Sequence, residues 1–163
     1  MVGYVESALD WASDTPPPTL RRAARRLRAN LYEPEHVTLC WGDARMSNIL
    51  YDNEFRVNGV LDWEIAHIGD HEADLAWMLF LDRACSEHQV VERLAGTPTR
   101  ADTIARYEER AGMKVRNLRY NEILAAVLPG IPLLRMAHRL RLAAEIDVTA
   151  FCAARIEELL LDA

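Results

Sequence analysis

The sequence predicts an α+β chain, predominantly helical, with one short β-hairpin in its first half. Two observations carry that expectation. Residues 3–13, 19–31 and the stretch from His71 onward repeat apolar side chains at helical spacing. Only residues 37–63 hold short β-branched and apolar runs separated by turn chemistry, at Asp52-Asn53. Half of the 163 residues are hydrophobic, which is enough for a real core.

In chain order, Val5, Ala8, Leu9 and Ala12 stripe a first helix, which Asp14-Thr15 and the prolines 16–18 stop. A second helix starts near Thr19, with Leu20, Ala23, Ala24, Leu27 and Leu31 on one face and arginines on the other. Arginine stems cover apolar surface well, so the basic face is expected to be a solvated surface rather than a nucleic-acid helix. Residues 37–41 read as a strand delivering a loop over 42–48. Residues 49–51 and 56–63 then form a hairpin whose second strand presents Asp62 at its end. From His71 a helix carries Leu75, Met78, Leu79 and Leu81. Further helices are expected near 86–95, 99–112, 117–142 and 146–161, the one over 117–142 kinked by Pro129-Gly130 and Pro132. With no repeat, low-complexity tract or linker, residues 1–163 are expected to form a single domain.

Composition narrows the function classes. A net charge of −6 gives no overall footprint for nucleic acid, and none is expected as a partner. Cys40, Cys85 and Cys152 form no C-x-x-C pair and are read as reduced core thiols. No apolar run approaches membrane-spanning length, and Glu6 and Asp10 stand where a secretory signal would be basic. No membrane partner is therefore expected, and the cytoplasm is the expected location.

The chemistry concentrates in residues 41–76. Trp41-Gly42-Asp43-Ala44-Arg45-Met46-Ser47-Asn48 is followed by Leu61-Asp62-Trp63-Glu64 and then by Gly69-Asp70-His71-Glu72-Ala73-Asp74-Leu75-Ala76. Asp43 and Asn48 stand in the D-x-x-x-x-N relation of a phosphoryl-transfer loop, in which the aspartate accepts a hydroxyl proton and the asparagine oxygen binds magnesium. Asp62 is placed to supply a second hard oxygen. A lone D-x-x-x-x-N carries little weight. The ordered strand, loop, hairpin and second aspartate carry much more.

This segment resembles the aminoglycoside phosphotransferase family, small-molecule relatives of the protein kinases. Their pattern runs H-G-D-x-x-x-x-N, a hairpin, D-W-E or D-F-E, then G-D-P-x-x-D-L-A. Trp41 stands where the family has histidine, and His71 where proline is common. The resemblance implies a protein-kinase-like C-terminal lobe whose hairpin carries the metal site. It implies Mg2+-dependent transfer of the γ-phosphate of ATP or GTP to a hydroxyl of a small molecule, with Asp43 as the base. Asn48 and Asp62 would hold the metal and nucleotide, and Glu64 would join the metal shell or pair with a surface arginine. Arg45 would meet phosphate or substrate, or bridge to Asp70 or Asp74, and those two aspartates would brace the loop.

Other features qualify that reading. The loop begins at residue 41, after only two helical segments, which leaves no room before it for a sheet lobe. No G-x-G-x-x-G is present, and Lys114 is the only lysine. The chain is therefore expected to be the catalytic lobe alone, either a fragment or one whose N-terminal lobe is encoded separately, with an apolar patch near the strand 37–41 and the helix before it that a homodimer would cover. The alternative is a catalytically inactive, pseudokinase-like binding module. A zinc-hydrolase reading built on His67 and His71 fails, because H-E-x-x-H is absent and Gly69 interrupts the spacing. Glu108, Glu109, Glu145, Glu157 and Glu158 are expected to form a solvated face.

Overall fold

The proline run after the first helix both ends that helix and begins the next. α1 (Val2–Ala12) stops before it, and α2 (Pro18–Ala29) starts on Pro18, where the missing N–H costs no intrahelical bond. The computed structural model describes residues 2–86, 92–143 and 146–161. It divides into two compact units, Met1–Glu33 with Glu122–Ala163, and Pro34–Asn121.

In the first unit, Val5, Ala8, Leu9 and Ala12 of α1 and Leu20, Ala23, Ala24 and Leu27 of α2 are all buried, as their spacing predicts. Fully burying a leucine contributes roughly 1.5–3 kcal/mol. Leu31 departs from the expected stripe and is 66% exposed. The helix ends before it, at Asn30, whose N–H donates to the Leu27 carbonyl. Ion pairs occupy part of the arginine face: Arg21 with Asp10, Arg28 with Glu6, and Arg22 with Glu157. After α6 (Gly130–Leu140) and α7 (Ala150–Leu161), the buried set gains Ile131, Cys152, Ile156 and Leu159. Gly130 permits a close approach, since a Cβ there would lie 2.5 Å from Leu20 Cδ2.

In the second unit, β1 (Val37–Cys40) pairs antiparallel with β4 (His67–Asp70), Leu39 opposite Ile68. β4 is a strand that sequence reading did not anticipate. Val37, Leu39 and Ile68 are 61%, 59% and 70% exposed, an apolar surface at the strand as expected, whereas the apolar stripe of the helix before it is buried rather than part of such a patch. β2 (Ile49–Tyr51) and β3 (Val57–Val60) make the expected hairpin, bulged between Leu50 and Tyr51. Its turn is built by Asp52, whose carboxylate accepts from the Glu54 and Arg56 backbone and from Arg56 Nε. β3 is shorter than the expected 56–63, so Asp62 lies beyond the strand rather than at its end, with φ +62°.

The helices that follow are α3 (Glu72–Cys85), α4 (Arg100–Ala111) and α5 (Leu118–Val127). α4 opens on a Thr99–Asp102 capping box and closes on left-handed Gly112. The helix expected near 86–95 falls largely on residues 87–91, outside those described, and 92–95 is not helical. Glu145 also lies outside them. One composition-based expectation is corrected. Leu118–Leu140, counted through its turn at 128–129, is 23 residues with a most apolar window of mean hydropathy 1.3, long and apolar enough to cross a membrane. The turn splits it into two helices, 39% of that window is buried, and Glu122 within it pairs with Arg155.

Candidate active site

The loop between β1 and β2 is held from below by α3. Asp74, in the first turn of that helix, accepts the backbone N–H groups of both Trp41 (2.7 Å) and Gly42 (2.8 Å). One turn later on the same face, Trp77 Nε1 donates to Asp43 Oδ1 at 2.9 Å. Gly42 makes the bend possible. Its φ is +92°, and a Cβ there would sit 2.5 Å from the Ile65 carbonyl oxygen.

Asp43 and Asn48 are both buried and meet each other. Asn48 Nδ2 donates to Asp43 Oδ2 at 2.7 Å and to the Asp43 carbonyl at 3.2 Å. Arg45 Nε lies 3.0 Å from the same Oδ2. Arg45 thus pairs with Asp43, not with Asp70 or Asp74 as one expectation had it. A carboxylate has about four lone-pair sites. Among the described residues, Trp77, Asn48 and Arg45 fill three of them on Asp43.

Backbone bonds join the Asp62 segment to the loop. The Leu61 N–H donates to the Asn48 carbonyl at 2.9 Å. Trp41 Nε1 donates to the carbonyls of Leu61 (2.7 Å) and Asp62 (3.1 Å), and Trp63 Nε1 donates to that of Val60 (2.9 Å). The Asp62 side chain is exposed. Glu64 is exposed too and pairs with no arginine among the described residues.

Asp70 is buried and hydrogen-bonded. Its Oδ1 accepts the Glu72 N–H at 3.0 Å, and its Oδ2 accepts Asn121 Nδ2 at 3.2 Å. Asp70, His71 and Glu72 bring potential metal-ligating atoms within 4.8 Å of one another, all three residues buried. Their polar atoms are already engaged. Glu72 accepts the backbone N–H groups of Arg116 (2.7 Å) and Asn117 (2.9 Å) just ahead of α5, and the His71 ring contacts the Tyr107 hydroxyl at 3.1 Å. That set is read as a structural clamp. His67, the other member of the rejected zinc pair, contacts the Ile65 carbonyl instead.

Burial also sets the titration of the site's floor. It pushes the Cys40 thiol up to about 11, with the nearby Asp74 and Asp70 charges adding to the effect, and the Tyr107 phenol up to about 12. Both groups therefore stay protonated near neutral pH.

Sequence reasoning missed Trp77, Glu72 and β4. Trp77 had a signal, since its place three residues after Asp74 puts both on one helix face. Glu72 had none, because its partners lie more than 40 residues away.

The model of a family described as phosphotransferase enzymes matches residues 3–114. The fold resembles the crystal structure of a proposed aminoglycoside phosphotransferase from Ralstonia eutropha, with a TM-score of 0.72 and 18% identity. That similarity covers 97% of this chain and 51% of the other, so the chain spans about half the length of that relative.

Proposed function

Because this chain belongs to the phosphotransferase enzyme family, we propose that it is the catalytic lobe of a kinase-like enzyme. On this reading it moves the γ-phosphate of ATP or GTP to a hydroxyl of a small molecule, in the cytoplasm. The observation that carries the proposal is the buried Asp43–Asn48 pair, locked by Trp77 and joined through the Asn48 carbonyl to the segment bearing Asp62.

The residues divide the work. Asp43 is turned toward the acceptor by Trp77 and Asn48, and its remaining lone pair orients the hydroxyl and takes its proton. Arg45 is exposed, and its guanidinium stands at the same carboxylate, within reach of an incoming phosphate. Asn48 commits its amide nitrogen to Asp43, and its Oδ1 together with the exposed Asp62 carboxylate would supply the hard oxygens that Mg2+ prefers. When bound, that ion neutralises charge on the nucleotide phosphates. Glu64 stands near enough in sequence to hold outer waters. Asp74 and Asp70 keep the loop and the α3 entry in place.

A nucleotide-gripping partner belongs to the proposal. The chain matches about half of its solved relative, and its only lysine, Lys114, is tied to Glu108 at 2.6 Å. The partner is a separate lobe, the rest of a longer chain, or a second copy. The Arg45–Asp43 ion pair also favours a second reading, an inactive binding module in which that pair never opens.

The test is phosphate transfer from ATP and Mg2+ to a panel of small alcohols and amino sugars, with the chain alone and with a family nucleotide lobe added. Asp43→Asn is expected to lower turnover about 100-fold or more while the variant remains folded by circular dichroism. Turnover that survives in D43N would remove Asp43 from its role. Absence of both nucleotide binding and transfer in either setting would favour the inactive module.

A further inference from the structure

We infer that Trp41 is a positioning residue, which sets the backbone of Asp62 and so aims its carboxylate at a divalent cation. The inference rests on the reading of Asp62 as a cation ligand. Two independent observations carry it. Asp62 sits at φ +62°, a left-handed conformation uncommon for residues other than glycine, although aspartate tolerates it better than most, and local hydrogen bonds select it over extended backbone. The Trp41 indole N–H supplies such bonds, donating to the carbonyls on both sides of the Asp62 amide–Cα link, those of Leu61 and Asp62.

The neighbouring geometry makes Trp41 a strap rather than a bystander. Its own backbone N–H is fixed by Asp74, so the indole projects from a point anchored to α3. The Trp63 indole donates to the Val60 carbonyl, and the two rings lie 6.1 Å apart at 35°. Three successive carbonyls, 60 to 62, are thereby held by two indole donors. This strap occupies the position where histidine is usual in the resembling family. An imidazole N–H is also a donor there, whereas a phenyl ring is not.

The experiment compares Trp41→Phe and Trp41→His with the unsubstituted chain. NMR backbone shifts and the HN–Hα coupling of Asp62 report its left-handed φ, and Mn2+ titration followed by electron paramagnetic resonance reports cation affinity. W41F is expected to lose the left-handed signature at Asp62 and to weaken Mn2+ binding about tenfold, the low end for an outer partner of a metal ligand. W41H is expected to restore both, with all three proteins folded by circular dichroism. An unchanged Asp62 signature in W41F would overturn the strap, whatever the metal does. Equal Mn2+ affinity in W41F and the parent would overturn its role in aiming the carboxylate. No Mn2+ binding to the parent chain would instead sink the cation reading of Asp62, and with it the use assigned to the strap. If W41F does not fold, W41H alone decides, since it must keep both the Asp62 signature and the Mn2+ affinity.

Discussion

Removing the Asp74 carboxylate should release the active-site loop more than it disturbs the core. Both of its oxygens accept backbone N–H groups, from Trp41 at 2.7 Å and Gly42 at 2.8 Å. A hydrogen bond to a charged group contributes about 1.5–3 kcal/mol, so two would contribute about 3–6. Asp74 is half-buried, and water can replace part of that; the net cost of Asp74→Ala is therefore expected near 2–4 kcal/mol. Asp74→Asn keeps one acceptor but turns an amide N–H toward a backbone donor, and is expected to lose about 1.5–3 kcal/mol. Urea unfolding followed by circular dichroism measures both, and the loss corresponds to a Tm lower by roughly 5–15 °C. Hydrogen exchange then locates the effect, because the Trp41 and Gly42 amides should lose protection while those of α2 keep theirs. If D74A unfolds within about 0.5 kcal/mol of the parent, or if those two amides stay protected, the loop is held by something else.

Two other outcomes follow from the same coordinates. Gly42→Ala is expected to cost more than about 2 kcal/mol or to displace the loop, since the new Cβ would meet the Ile65 carbonyl at 2.5 Å in a left-handed backbone; a Tm within 2 °C of the parent, measured by differential scanning calorimetry, would refute the close approach. Stability should also fall in alkali. Burial raises Cys40 from its ordinary 9.0 to about 11 and Cys152 to about 12, so the folded state favours the neutral thiols; their contribution is full below pH 9 and is lost as pH rises from there through 11 and 12. Cys152→Ala should flatten the decline of Tm between pH 9 and 11, and an equally steep decline in that variant would count against the assignment.

The sequence alone determined the parts that repeat or lie close along the chain. Apolar spacing placed α1, α2 and α3, turn chemistry at Asp52 placed the hairpin, and the five-residue step from Asp43 to Asn48 marked a loop in which the two side chains do meet. Tertiary structure decided whatever depends on distant partners. β4 is too short and too glycine-marked to announce itself, and it is a strand because β1 offers it a ladder, with Cys40 opposite His67 and Val37 opposite Asp70. Arg45 chose Asp43 over Asp70 and Asp74 because the loop's turn brings Asp43 Oδ2 to its guanidinium. Asp62 left the strand for a left-handed bend where the Trp41 indole, anchored elsewhere, donates to the carbonyls of Leu61 and Asp62 and the Leu61 N–H reaches the Asn48 carbonyl. Local periodicity can be read because it is written within a few residues. A hydrogen bond between residues 20 or 40 apart exists only once the chain has closed on itself, and the finer aim of the site is made of such bonds.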